Sequence, residues 1–344
     1  MVQGTYTAEW CRYTLDFTFE ARTSRASMTH KDTYFIRLTS PDGHTAYGEV
    51  PLFKGLSAED SPEFEQMLSE ACANPLNTLA KPTCSSIAFG FESAFASLEN
   101  TEPTSWQNGE YGIPINGLIW MGDKELMRQR IAEKLDAGFR ILKLKIGGIR
   151  FNDEVDLLRN IRNSFGETDL EIRLDANGSF TPATALDRLN ILSTYKIHSL
   201  EQPIKAGQTE SMAEICRKSP IAIALDEELI GKRTHSEKVS LLEAIQPQYI
   251  ILKPALCGGF RDCDDYASII GEGRWWATSA LESNIGLYAI GRWLSRYRLT
   301  MPQGLGTGQL YSNNIPSPLA MHHAALWCDN KQAWRIPDNL AWKA

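Results

Sequence analysis

The stretch LKLKIGG, residues 142–148, sets two lysines one residue apart at the end of an aliphatic run and closes on two glycines. In a strand, side chains two positions apart share a face. Lys143 and Lys145 therefore point one way, and Leu142, Leu144 and Ile146 the other. Taken alone, the pattern describes either a strand with a solvated basic face or a buried strand whose lysines meet acidic partners, because lysine is rarely buried unpaired. The rest of the chain has to supply those partners.

Outward from this strand, the chain alternates. Short apolar strands are predicted at IPINGLIW, ILKLKI, LEIRLDA, HSLEQP, IAIALDE, YIILKP, RWWATSA and LTMPQG. Helical stretches such as DKELMRQRIAEKLDAG and FNDEVDLLRNIRNSFG lie between them, and Gly138 is a suitable stop for the first. Eight strands with seven intervening helices predict a parallel α/β structure of the (β/α)7β TIM-type barrel class. A doubly wound sheet is the alternative, but it would carry a glycine-rich phosphate loop after its first strand, and NGLIWMGDKE is not one. Before residue 105 the texture differs. WCRYTLDFTF and TYFIRLTS alternate as strands, PDG reads as the turn into HTAYGEV, and helices are expected around 58–73 and 84–98. This predicts an N-terminal α+β domain over 1–105, with the polar, turn-rich ENTEPTSWQNGEYG as linker, and a barrel domain over 106–312.

Polar residues fall at the strand ends. Lys145, Asp175, Glu201, Asp226 and Lys253 succeed one another at gaps of 30, 26, 25 and 27 residues, each one βα unit. Ser279 and Glu282 follow the seventh strand. In a barrel these ends converge on one mouth, where active sites are built. Asp175, Glu201 and Asp226, from three adjacent strands, would repel one another without protons or a cation. All-oxygen ligands with room for water favour Mg²⁺ over zinc. Lys145 and Lys253 would flank the metal. A second ammonium, Lys143, and a divalent cation nearby make a lysine a better general base, while the metal would stabilise an oxyanion formed beside a carboxylate. Arg173, two before Asp175, is expected in the same pocket by alternation. Glu227 is expected beside the ligands rather than among them.

Bulk properties narrow the classes. With 344 residues, 43% hydrophobic and 22% charged, the chain suits one large globular domain or two ordinary ones. A net charge of −7, without a long basic run, argues against nucleic acid as a partner. No stretch approaches a membrane span, and MVQGTYTAEW does not read as a signal peptide. Seven scattered cysteines, none in a C-x-x-C pair, argue against zinc or a disulfide framework and suit a reducing cytoplasm.

The ordered set K-x-K at 143–145, D-A-N at 175–177, E-Q-P at 201–203, D-E at 226–227 and K-P at 253–254 resembles the enolase superfamily, in its muconate-lactonizing-enzyme-like subgroup. The stretches INGLIWMG, LKPALCGGF, TSALESNIGLYAIGRW and GLGTGQLY look like a dehydratase branch of that subgroup, which acts on a cyclohexadiene carboxylate. The resemblance covers nearly the whole chain and implies that the N-terminal domain caps the barrel, with a tail over 313–344 returning to the cap. It also implies Lys145 as the proton-abstracting lysine, Lys253 as the lysine across the ring, Asp175, Glu201 and Asp226 as Mg²⁺ ligands, and Asn177 and Ser279 as pocket residues. Racemase or epimerase chemistry on the same site is an alternative, since two lysines flanking one metal suit racemisation. A Schiff-base aldolase using Lys145 is a remote one, because it needs no carboxylate cluster. Cap segments 21–32 and 51–57 are expected to close over the mouth and meet an anionic small-molecule substrate.

Overall fold

The computed structural model describes residues 5–22, 27–99, 102–120, 122–329 and 331–344. The chain opens with a three-stranded antiparallel sheet, β1 (Thr7–Arg22), β2 (Ser27–Thr39) and β3 (Thr45–Val50), in that order. The turn before β3 uses Gly43 at φ 88°, a conformation glycine adopts without strain. Helices α1 (Phe64–Ala73), α2 (Pro75–Ala80) and α3 (Ser85–Leu98) follow. Ile36, Leu38 and Val50 of the sheet pack with Leu68, Ile87 and Phe91 of the helices as a separate core. Glycine at both positions lets α3 touch β3 directly: a Cβ on Gly48 would stand 2.1 Å from the Gly90 carbonyl oxygen. The expected helix over 58–73 starts only at 64. Ahead of it the chain curls, with Ser57 Oγ accepting from the Phe53 amide at 2.9 Å and the Asp60 carboxylate accepting from the Gly55 amide at 2.6 Å. Helix α2 was not anticipated from the sequence.

The second part begins with β4 (Ile113–Pro114) and β5 (Gly117–Ile119), then runs α4 (Lys124–Asp136), β6 (Ile141–Lys145), α5 (Phe151–Ser164), β7 (Glu171–Asp175), α6 (Pro182–Ser193), β8 (Ser199–Glu201) and α7 (Thr209–Lys218). It continues with β9 (Ala222–Leu225), α8 (His235–Ile245), β10 (Tyr249–Leu252), α9 (Gly259–Ile270), β11 (Trp275–Ala277) and α10 (Asn284–Leu294). Strands β5 to β11 form one parallel sheet in sequence order. Parallel bridges Ile115–Gln303 and Thr278–Gly304 join its two edges through residues 303–304, so the eighth strand closes the barrel. Leu142, Leu144 and Ile146 face outward into the large core with Leu157, Leu158 and Ile161 of α5, which leaves Lys143 and Lys145 facing the barrel axis. Asp123 caps α4, its carboxylate accepting from the Leu126 amide, and the predicted stop at Gly138 follows.

The tail divides. A hairpin of β12 (Leu319–His322) and β13 (Ala325–Cys328) pairs with β4, next to the barrel entrance strand. Further on, Ile336, Leu340 and Trp342 pack against Cys11, Phe35 and Ile285, and Lys343 pairs with Trp10 of β1. No helix among the described residues is long and apolar enough to cross a membrane.

Candidate active site

Sheet register brings the strand-end residues together. Lys145 is the lateral neighbour of Asp175, and Asp175 of Glu201. Glu201 stands beside Ala224, so Asp226, two residues on, rises just past the end of β9. Lys253 follows β10 directly. One layer below, Lys143 is the neighbour of Arg173, and Arg173 of Ser199. Residues separated by 108 positions thus share one end of the barrel.

The lysines meet the carboxylates. Lys143 Nζ lies 2.9 Å from Asp175 Oδ2 and 2.6 Å from Glu201 Oε2. Lys145 Nζ donates to the same Asp175 oxygen at 2.7 Å and to Asn177 Oδ1 at 2.9 Å. Lys253 is ion-paired with Asp226. Burial works against the charge on Lys143 and Lys253, but the surrounding carboxylates outweigh it, so both lysine pKa values are raised. Asp175 shows the reverse balance: burial opposes its charge, and Lys143, Lys145 and Lys253 together hold its pKa well below the usual range. Glu201 is pushed up to about 8 by burial and by the Asp175 carboxylate. The opening ambiguity is resolved: both lysines of β6 are paired with carboxylates, Lys143 buried and Lys145 half-buried.

Above this cluster lies a cavity of about 800 Å³ between barrel and cap. Lys143, Lys145, Lys253, Asn177 and Ser279 line it, and Asp175, Glu201 and Asp226 lie behind the lysines. Both expected cap segments contribute, through Met28, His30, Lys31 and Asp32 and through Leu52 to Leu56. Of the segment 21–32, residues 23–26 lie outside the described residues. Asn177, in the left-handed region at φ 43°, which asparagine tolerates, accepts from Lys145 and donates to Glu227 Oε1 at 3.2 Å. Glu227 also lines the cavity.

Two expected pocket residues stand elsewhere. Arg173 does face the axis, but its guanidinium turns to the opposite end of the barrel, donating to Glu171 Oε1 at 2.7 Å and the Pro302 carbonyl at 3.0 Å and stacking on Trp276. Lys143, beside it, reaches up to the carboxylates; Arg173 reaches down to the start of its own strand. Alternation fixes the face of a side chain, not its direction along the axis. Glu282 does not border the cavity either. It accepts from the Ser279 hydroxyl and is pushed up to about 7 by burial, which the Ser279 hydrogen bond only partly offsets, so it braces Ser279 from behind.

Two supporting residues escaped the sequence reading. Gln202, of E-Q-P, accepts from the Asp226 amide at 3.1 Å and donates to the Ile204 carbonyl at 2.9 Å, fixing the backbone that carries Asp226. Glu154 reaches back from α5 to the loop after Lys145 and accepts from the Gly147 amide at 2.5 Å. Burial pushes Glu154 up to about 7 against the amides of Gly147, Ile149 and Gly148. The folded chain therefore keeps this proton between about 4.5 and 7 while the unfolded chain loses it. The resulting stability is fully present below pH 4.5 and is lost as pH rises through about 7. At about 1.4 kcal/mol per pKa unit, the wild type is expected to lose about 3 kcal/mol relative to Glu154→Gln between pH 4.5 and 8. Urea denaturation of both proteins across that range tests it; parallel pH profiles would contradict it.

The donor set suits a hard cation. It is all oxygen, from three consecutive strand ends, and an ammonium, Lys143, already sits between two of its members as a positive stand-in. With the carboxylates turned to the lysines, no three Asp, Glu, His or Cys side chains among the described residues form a ready-made metal cluster.

A closed (β/α)7β barrel under an α+β cap, with lysines on both sides of a three-strand carboxylate set, defines an enzyme of the enolase type. The Enolase C-terminal domain-like family model matches residues 126–272. The o-succinylbenzoate synthase of Desulfotalea psychrophila is 43% identical, over 90% of this chain and 95% of that protein. The crystal structure of MenC from the same organism superposes with a TM-score of 0.79 at 40% identity, covering 94% of this chain and 99% of that one. A dipeptide epimerase from Cytophaga hutchinsonii, solved with Mg and a dipeptide, shares the fold at a TM-score of 0.83 and 19% identity, with 98% of each chain covered. The chain belongs to the enolase superfamily, in its o-succinylbenzoate synthase family.

Proposed function

We infer that the protein is an o-succinylbenzoate synthase, a hydro-lyase of menaquinone biosynthesis. It converts 2-succinyl-6-hydroxy-2,4-cyclohexadiene-1-carboxylate into 2-succinylbenzoate and water. The observation that carries the reading is the placement of Lys145 and Lys253 on separate members of one carboxylate cluster at the cavity floor. Asp175, Glu201 and Asp226 would hold Mg²⁺, which when bound supplies positive charge to the substrate carboxylate as its neighbouring carbon loses a proton.

The chain's own residues do the rest. Lys145 takes the proton from the ring carbon bearing the carboxylate. The C–O bond at the next carbon breaks, the ring becomes aromatic, and Lys145 returns its proton to the departing hydroxide as water. Lys143, held as a cation by Asp175 and Glu201, keeps positive charge beside Lys145. Lys253, whose charge the carboxylates sustain, opposes negative charge from the other side. Asn177 Oδ1 accepts from Lys145 Nζ and holds that nitrogen at a fixed point, and the cap excludes water. The seven cysteines, all buried and free, suit a cytoplasmic enzyme.

Incubating the purified protein with the cyclohexadiene substrate and Mg²⁺ is expected to yield 2-succinylbenzoate, and chelation to stop it. Activity that survives chelation would instead favour imine chemistry at Lys145. Absence of product alongside α-proton exchange in N-acylamino acids would favour racemisation.

A further inference from the structure

Lys31 borders the cavity from the cap with an ammonium that meets no hydrogen-bond partner among the described residues. It lies on β2 on the same face as Thr33 and Phe35, both fully buried, and is itself only 7% exposed. The carboxylates whose charge reaches it, Glu49, Glu282 and Asp32, are engaged elsewhere. Glu49 accepts from the Thr33 hydroxyl at 2.8 Å and from the Ser283 and Gly286 amides, both at 2.9 Å, at the start of α10. Glu282 accepts from Ser279. They act on Lys31 through space, without contact. A buried ammonium lacking a partner is unfavourable for folding, so a structural role does not account for it.

The other cap cations differ. Arg12 is exposed and already bound by Asp32, and Lys54 is exposed. Lys31 alone among these three combines burial with an unanswered charge. The floor of the cavity carries Lys145 and Lys253, and Phe53, Leu56 and Leu281 contribute apolar wall. Such a cavity fits a molecule with a carboxylate at each end and an apolar body between them. We propose that Lys31 anchors the second carboxylate of the substrate, the one ending its succinyl side chain. The proposal rests on the dehydratase reading and assigns that enzyme's selectivity for dicarboxylates to one cap residue. An ammonium held out of water attracts a carboxylate more strongly than one in bulk solvent, and its fixed place lowers the ordering cost of binding.

Calorimetric titration of the Mg²⁺-loaded protein with 2-succinylbenzoate and with 2-butyrylbenzoate, whose chain ends in a methyl group, tests this. Wild type is expected to prefer the first. Lys31→Met is expected to weaken 2-succinylbenzoate by about 10- to 100-fold, the range for a charge-assisted hydrogen bond, and 2-butyrylbenzoate by no more than about twofold. Lys31→Arg is expected to retain part of the preference. The ligand-free Lys31→Met protein is expected to melt no lower than wild type, since it loses only an unpaired buried charge. Equal weakening of both ligands, no weakening of either, or a lower melting point would overturn the anchor. Wild-type turnover separates the two readings: dehydration with an unaltered ligand preference in Lys31→Met removes the anchor alone, whereas no dehydration by wild type removes the synthase reading.

Discussion

Lys145→Ala is expected to lower dehydration by at least about 10⁴-fold, and Lys145→Arg to restore nothing. A positioned acid–base group contributes about 10²–10⁴-fold, and here one side chain serves twice, first accepting the ring proton and then delivering it to the hydroxide. Arginine keeps the charge but does not surrender its proton, so it cannot begin the cycle. Lys253→Arg sets the contrast. The surrounding carboxylates raise the pKa of Lys253, so its part requires charge rather than proton exchange, and arginine supplies charge. Steady-state kinetics of both arginine variants check the assignment. If Lys253→Arg is the more damaged, the base belongs on the other side of the cluster.

The K-x-K spacing made Lys143 and Lys145 legible because a strand has a period of two and the sheet register is common to all its members. Once the strands were ordered, Lys145, Asp175 and Glu201 had to be lateral neighbours, as the pairing of β6, β7 and β8 makes them. Arg173 was not legible to the same degree. It shares the face of Asp175, yet its partners Glu171 and Pro302 lie toward the opposite end of the barrel, and sequence spacing carries no information on that tilt. Lys31 was hidden for another reason. It fell in the cap segment 21–32 rather than in the expected strand, which in the structure starts at Ser27, and its isolation depends on Glu49 and Glu282, 18 and 251 residues away, both engaged at the interface of cap and barrel. The curl before α1 depended on side-chain-to-backbone bonds from Ser57 and Asp60 that compete locally with helix formation.

Asp175→Ala, Glu201→Ala and Asp226→Ala are each expected to abolish measurable Mg²⁺ binding and dehydration. The three differ in what they do to the fold. Asp175 holds Lys143 and Lys145 on one oxygen, so its loss leaves Lys145 without a carboxylate and Lys143 with Glu201 alone. Asp226 is the ion-pair partner of Lys253. Removing one partner of a buried pair costs about 3–5 kcal/mol, a large part of the usual stability of a domain. These two alanine variants should therefore unfold at lower urea than wild type, and Glu201→Ala less so, because Lys143 keeps Asp175. The fold is expected to survive each change, with reduced stability where a buried pair is broken. The isosteric Asp175→Asn keeps the shape and removes the charge, which separates metal loss from cavity formation. Calorimetry with Mg²⁺ on all four variants decides the matter: wild-type affinity throughout would remove the metal from these strand ends.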